Sequence, residues 1–330
     1  MMQKHIAVAS PSHLSPFQVE AAQYIPANSP RDGFTLVFLH AMGLHKETFE
    51  TVISKLLQPS PDLSIHDIWS IDNPNHGRSA ERNKRTLSSP EWLDKWSASE
   101  YSRAVCSFLS ATSHGVNFKE RKLVGVAHSA GAASLMLLTQ MEPKLSFHGL
   151  ILLEPALLPP DKASTSYLTS LFSKMALSKR DTWENRRAAQ ADLITKPAFR
   201  GWELATVASF VENALRSSAS SNTVTLACSR RQESAYFLND DIVGATADAF
   251  QTVVQQNRVP IHLITCKRDE YKGKSDDMKQ FQIESILKMT FSSVQHLDRG
   301  GHMYPQTEPV LTARAICNAL SRLQTRGPRL

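Results

Sequence analysis

The chain has 330 residues with an ordinary apolar fraction, enough for one large domain or two modest ones. Its formal charge is +6, but the basic residues are dispersed, and pairs such as Arg230-Arg231 and Lys267-Arg268 form no arginine-rich stripe of a nucleic-acid binder. No stretch has the length of a membrane span, the first residues lack the apolar core of a secretory leader, and the cysteines (Cys106, Cys228, Cys266, Cys317) stand too far apart for a metal site and read as reduced thiols.

Residues 5–9 and 18–25 read as edge strands separated by a Pro/Ser turn. The run 34–39 is apolar throughout, the mark of a strand covered on both faces, and it ends at His40-Ala41-Met42-Gly43. A helix is expected near 47–57. A second buried strand, 67–71, runs into Asp72-Asn73-Pro74-Asn75-His76-Gly77-Arg78-Ser79, which is all turn chemistry. Ser97 and Glu100 have capping-box spacing and open a helix with Val105, Phe108 and Leu109 on one face. The third buried strand is 123–127, followed by a helix over 130–141; the fourth is 150–153 and ends on Glu154. From 157 to 256 there are helical stretches and polar loops without a clear run of buried strands. A fifth buried strand, 261–264, and a short one, 294–297, precede a last helix with Val310, Ala313, Cys317 and Leu320 in one stripe.

Strands alternating with helices predict an α/β fold, a doubly wound, mostly parallel sheet. The expected organisation is a core in two parts, 1–156 and 257–330, with a helical cap, 157–256, inserted after the fourth buried strand. The cap starts at the carboxyl edge of the sheet, where such sheets bind ligands.

One stretch asks for chemistry. Ala127-His128-Ser129-Ala130-Gly131 joins a buried strand to a helix through small residues on both sides of a serine. Ser129 can be read as a plain helix cap or as a nucleophile on a tight elbow of the form G-x-S-x-G, with Ala127 in place of the first glycine. A serine hydroxyl needs a base. His302, in Arg299-Gly300-Gly301-His302-Met303-Tyr304-Pro305, follows the last strand on a loop that can present an imidazole; the bland alternative is an exposed loop histidine. The backbone N–H groups of Met42 and Ala130 are the expected oxyanion donors. His40 is expected to bond its own loop, and His128 to pack under the elbow. For the acid, Glu154 and Asp269 compete, with Glu270 behind them. Glu154 is favoured because a carboxylate at the end of a fully apolar strand needs a partner, whereas Asp269 stands among Lys267, Arg268, Glu270 and Lys272. Trp183, Phe199, Trp202, Phe210, Tyr236 and Phe237 are candidates to line a substrate pocket, or else plain cap core.

These motifs resemble the α/β-hydrolase superfamily over nearly the whole chain. The turn 72–79 resembles that family's D-x-R-G-x-G-x-S turn, with Asn and His replacing Arg and Gly. Lys179-Arg180-Asp181-Thr182-Trp183 with Arg186-Arg187-Ala188, and Leu150-Ile151-Leu152-Leu153-Glu154-Pro155-Ala156, are similar to a fungal and yeast subgroup. That subgroup includes a peroxisomal lipase and peroxisomal acyl-CoA hydrolases of polyketide and toxin pathways. The resemblance implies hydrolysis of a small-molecule thioester or ester through an acyl-enzyme on Ser129, with His302 as base and no metal or organic cofactor. It also places the acid after the fourth strand, at Glu154. Acyltransferase, lactonase and carbon–carbon hydrolase branches keep the same triad, and a silent fold used for binding or cyclisation is the alternative class. A serine nucleophile argues against the dehalogenase and epoxide-hydrolase branches. Pro328-Arg329-Leu330 resembles variants of the Ser-Lys-Leu address, which implies a peroxisomal import receptor as partner and the peroxisome as location, with the cytoplasm as the alternative.

Overall fold

The computed structural model describes residues 2–58, 63–156, 162–218, 222–239, 245–256, 259–266 and 291–325. Its centre is an eight-stranded sheet in the order β1-β2-β4-β3-β5-β6-β10-β11. The strands are β1 (Gln3–Ala9), β2 (Val19–Ile25), β3 (Phe34–Leu39), β4 (Ile65–Ile71), β5 (Lys122–His128), β6 (Phe147–Leu153), β10 (Ile261–Cys266) and β11 (Ser293–Leu297). β1, β2 and β4 pair antiparallel; every pair from β4 across to β11 is parallel.

The apolar runs are buried because helices cover both faces. Alternation along each strand sorts the side chains. Val37, Leu39, Leu150 and Leu152 join one core cluster with Val105 and Phe108, while Leu36, Phe38, Ile151 and Leu153 join the other with Ile53 and Ile316. The helix Ala98–Ser110 of the first face starts as its spacing predicts, with Ser97 Oγ accepting from the amide of Glu100 at 3.3 Å.

The parallel register positions the site. Leu39 pairs with Ala127, His128 with Leu153, and Leu153 with Ile264. The residues that follow these strands therefore emerge side by side at one carboxyl edge.

The segment between β6 and β10 holds the helices Lys162–Ser178, Arg186–Leu193, Leu204–Ala214, Arg230–Leu238 and Ala245–Gln256. It also holds a small antiparallel sheet, β7 (Thr182–Trp183), β9 (Val224–Leu226) and β8 (Leu215–Ser217), in that order. The sequence reading expected helices and loops only; strands of two or three residues are too short to show an alternation. Ala249, Phe250 and Val253 belong to the core cluster of the sheet, with Leu135 of the helix after β5, so the helix Ala245–Gln256 packs on that core. This segment has an apolar cluster of its own, which includes Ala41 and Leu44 from the loop after β3 and so packs it on that loop.

Candidate active site

Ser129 follows β5 with φ 53° and ψ −114°, a left-handed conformation unusual for a residue with a Cβ. The strain is held by the backbone: its N–H donates to the carbonyl of Leu153 at 3.0 Å, and its carbonyl accepts from Ala132 at 3.0 Å and from Ala156 at 3.3 Å. Strand and helix approach so closely that a Cβ on Gly131 would stand 2.4 Å from the carbonyl oxygen of Leu39. That is why small residues flank the serine. Ser129 makes no side-chain cap bond to the helix Ala130–Leu138. Its Oγ lies instead 3.0 Å from His302 Nε2.

His302 sits on a single tight turn, Gly301–Met303, entered through Gly300 and Gly301 at φ 105° and 59°. The Thr307 hydroxyl donates to the carbonyls of Gly300 at 3.0 Å and Met303 at 3.2 Å, and two strand ends also hold the turn. The amide of Gly301 donates to Cys266 Sγ at 3.2 Å, and the carbonyl of His302 lies 2.8 Å from His128 Nε2. On the far side of the ring, Nδ1 stands 3.8 Å from Glu154 Oε2. Glu154 follows β6, also left-handed at φ 41°. Its amide donates to the carbonyl of Ile264 at 3.0 Å, and its Oε1 accepts from the amide of Cys266 at 2.5 Å. Register and turns thus bring Ser129, His302 and Glu154 into one row. Asp269 and Glu270 lie outside the described residues, as does Pro328-Arg329-Leu330.

The loop after β3 lies against the start of the elbow helix. The amides of Met42 and Ala130 meet no acceptor among the described residues. His40 bonds its own loop, as expected: Nδ1 donates to the carbonyl of Ala41 at 2.9 Å, and Nε2 accepts from the amide of Asn73 at 3.0 Å. The backbone N–H of His40 is held by the Tyr101 hydroxyl at 3.2 Å, which itself donates to the carbonyl of Ile71 at 2.7 Å. Gly43, at φ 79°, donates its N–H to His76 Nε2 at 2.9 Å. Burial pushes His40 down to about 3 and His76 well below the ordinary histidine range, so both rings stay neutral acceptors.

Beneath this loop lies a feature that sequence reasoning missed. Lys46 is fully buried, its Nζ 2.8 Å from Glu47 Oε1, 2.9 Å from Glu20 Oε1 and 3.1 Å from Asp72 Oδ2. Burial acts to lower the lysine's pKa, and Asp72, Glu47 and Glu20 together outweigh it and raise it. Asp72 also accepts from the amides of Lys46 at 2.9 Å and Ser79 at 3.3 Å, which explains the turn 72–79 as a clamp on the loop. A charged pair such as Lys46-Glu47 gives no sequence signal of burial, because such residues are normally solvated.

The aromatic candidates divide. Trp183 and Trp202 are buried in the apolar cluster of the segment between β6 and β10, Trp183 donating Nε1–H to Asp192 at 2.9 Å and Trp202 lying tilted against Phe199 and edge-on to Phe210, with ring centroids 4.6 and 5.8 Å apart. Both belong to one apolar cluster with Ala41 and Leu44, and Met303, beside His302, packs against the same cluster. Tyr236 is buried in the core cluster that contains Ala130, with Met42 and Phe237 packed at its margin.

A hydroxyl at a helix N-terminus, an imidazole in hydrogen-bond reach and a carboxylate behind it are groups that acyl transfer can use. The family described as Alpha/beta hydrolase matches residues 36–315. The type I acyl-CoA thioesterase mpaH of Penicillium roqueforti is 29% identical over 181 residues, 52% of this chain and 39% of its own length. The peroxisomal membrane protein LPX1 of Saccharomyces cerevisiae is 30% identical over 166 residues, 46% of this chain and 40% of its own. The matched segments therefore span about two fifths of these relatives' length. Among solved structures, the peroxisomal alpha-beta-hydrolase Lpx1 of Saccharomyces cerevisiae superposes on 100% of this chain and 91% of its own with TM-score 0.73 at 17% identity. A thioesterase domain from the curacin biosynthetic pathway covers 96% of this chain and 99% of its own with TM-score 0.65 at 14% identity. At those identities the likeness is one of fold.

Proposed function

The chain belongs to the alpha/beta hydrolase family, and from that premise we propose that it is a serine hydrolase that cleaves an acyl thioester, most simply an acyl-CoA, through an acyl-enzyme. The observation that carries the reading is the 3.0 Å contact between Ser129 Oγ and His302 Nε2 at a strained helix N-terminus. Ser129 attacks the carbonyl while His302 takes its proton. The amides of Met42 and Ala130 hold the oxyanion, and Glu154 fixes the ring and stabilises the imidazolium. The thiol leaves with the proton from His302, and water, activated by the same ring, releases the acid. The thioester preference is supported by the likeness to a Penicillium protein named as an acyl-CoA thioesterase, and an acyl group of fungal secondary metabolism by the motif resemblance. A peroxisomal location is supported by the name of the yeast relative.

Fluorophosphonate labelling tests the chemistry. Wild type is expected to label and Ser129→Ala is not; a wild type that stays unlabelled supports the silent fold instead. For location, a fluorescent fusion is expected to overlap a peroxisomal marker, and diffuse cytoplasmic signal contradicts the assignment.

A further inference from the structure

The residue before the serine, His128, is fully buried and has no role in the steps above. Its Nε2 lies 2.8 Å from the carbonyl oxygen of His302. A carbonyl only accepts, so Nε2 carries the proton and Nδ1 is bare. Nδ1 is buried and without a hydrogen-bond partner among the described residues. The two imidazoles are 5.1 Å apart between centroids, with the Tyr304 ring 6.4 Å from that of His128.

His302 needs such a clamp. Its turn is entered through two left-handed glycines, which give the backbone little rigidity of its own. The tie from the Gly301 amide to Cys266 ends on sulfur, a weak acceptor, and the Thr307 hydroxyl holds the carbonyls of Gly300 and Met303 on either side, at 3.0 and 3.2 Å, but not that of His302.

We propose that His128 is a positioning residue for His302, its Nε2–H holding the His302 carbonyl and so the height of the imidazole above Ser129. The proposal rests on the reading of Ser129 and His302 as nucleophile and base. Because His128 and Ser129 are consecutive, one strand tip carries both the nucleophile and the clamp on its base. A shift of the tip therefore carries both partners together and preserves their separation. The clamp must also stay neutral while His302 becomes charged beside it. Burial first, and then the neighbouring His302 and more distant His40, push His128 down to about 3, which keeps it so.

The test compares His128→Leu with His128→Gln, whose amide N–H reaches about as far as Nε2. The readouts are the second-order rate of fluorophosphonate labelling, and kcat and KM on a p-nitrophenyl ester. Leucine is expected to lower labelling and kcat roughly 10- to 100-fold with KM nearly unchanged, and glutamine to restore most of the loss. A leucine variant at the wild-type rate, or equal losses in both, overturns the clamp. Wild type that never labels overturns the Ser129–His302 reading itself, and the clamp with it. Should the leucine variant not fold, nitrogen-15 spectra of the wild type decide. A neutral His128 protonated on Nε2 upholds the bond, and the Nδ1–H tautomer overturns it.

Discussion

Glu154, after β6, and His302, in the turn after β11, face each other with Oε2 3.8 Å from Nδ1 and the other carboxylate oxygen fixed by the Cys266 amide at 2.5 Å. The anchored oxygen aims the free one at the ring, and the contact is expected to shorten in a substrate complex. Glu154→Gln is therefore expected to lower kcat by about 10³- to 10⁴-fold in single-turnover kinetics, as loss of the orienting acid does in serine triads, while Asp269→Asn leaves most activity. The opposite ranking moves the acid to Asp269.

Lys46 is the shared partner of Glu20, Glu47 and Asp72 in a space closed to solvent, with Glu20 also paired to Arg82 at 2.7 Å. Lys46→Met is expected to destabilise the fold by about 3–5 kcal/mol, since removing one partner strands the others as buried charge. Urea unfolding measures it. A loss of less than about 1 kcal/mol would mean that the carboxylates are already compensated by other donors.

Stability is expected to fall on mild acidification. His40 and His128 are held near 3 by burial, and His76 well below its ordinary value, whereas all three take up protons near 6.5 when unfolded. The unfolded chain thus binds more protons once the pH drops through 6.5, and each histidine adds a slope of up to about 1.4 kcal/mol per pH unit. Their contribution is fully present above that point and is lost progressively towards about 3. Unfolding free energies at about pH 7 and about pH 5 test this, and a flat profile refutes it.

The sheet was legible because parallel strands covered on both faces leave continuous apolar runs, as in 34–39 and 150–153. The elbow was legible because the close approach at Gly131 admits only small residues. Glu154 could be singled out because an acid closing an apolar strand is conspicuous. What stayed hidden depends on tertiary partners. Lys46 looks like any surface lysine until three carboxylates surround it. Trp183 and Trp202 are equally at home in a pocket and in a cap core, and only packing separates the two. The allegiance of the helix Ala245–Gln256 follows from its contact with the elbow helix, which no local pattern announces.

The backbone at Ser129 and Glu154, at φ 53° and 41°, occupies a region that glycine enters freely. Holding a side chain there costs about 1–3 kcal/mol at each position, in every copy and at every moment, idle or working. A lineage that abandoned the reaction would have no reason to keep that burden. Glycine at both positions would then mark a descendant that has retained the architecture and retired from chemistry.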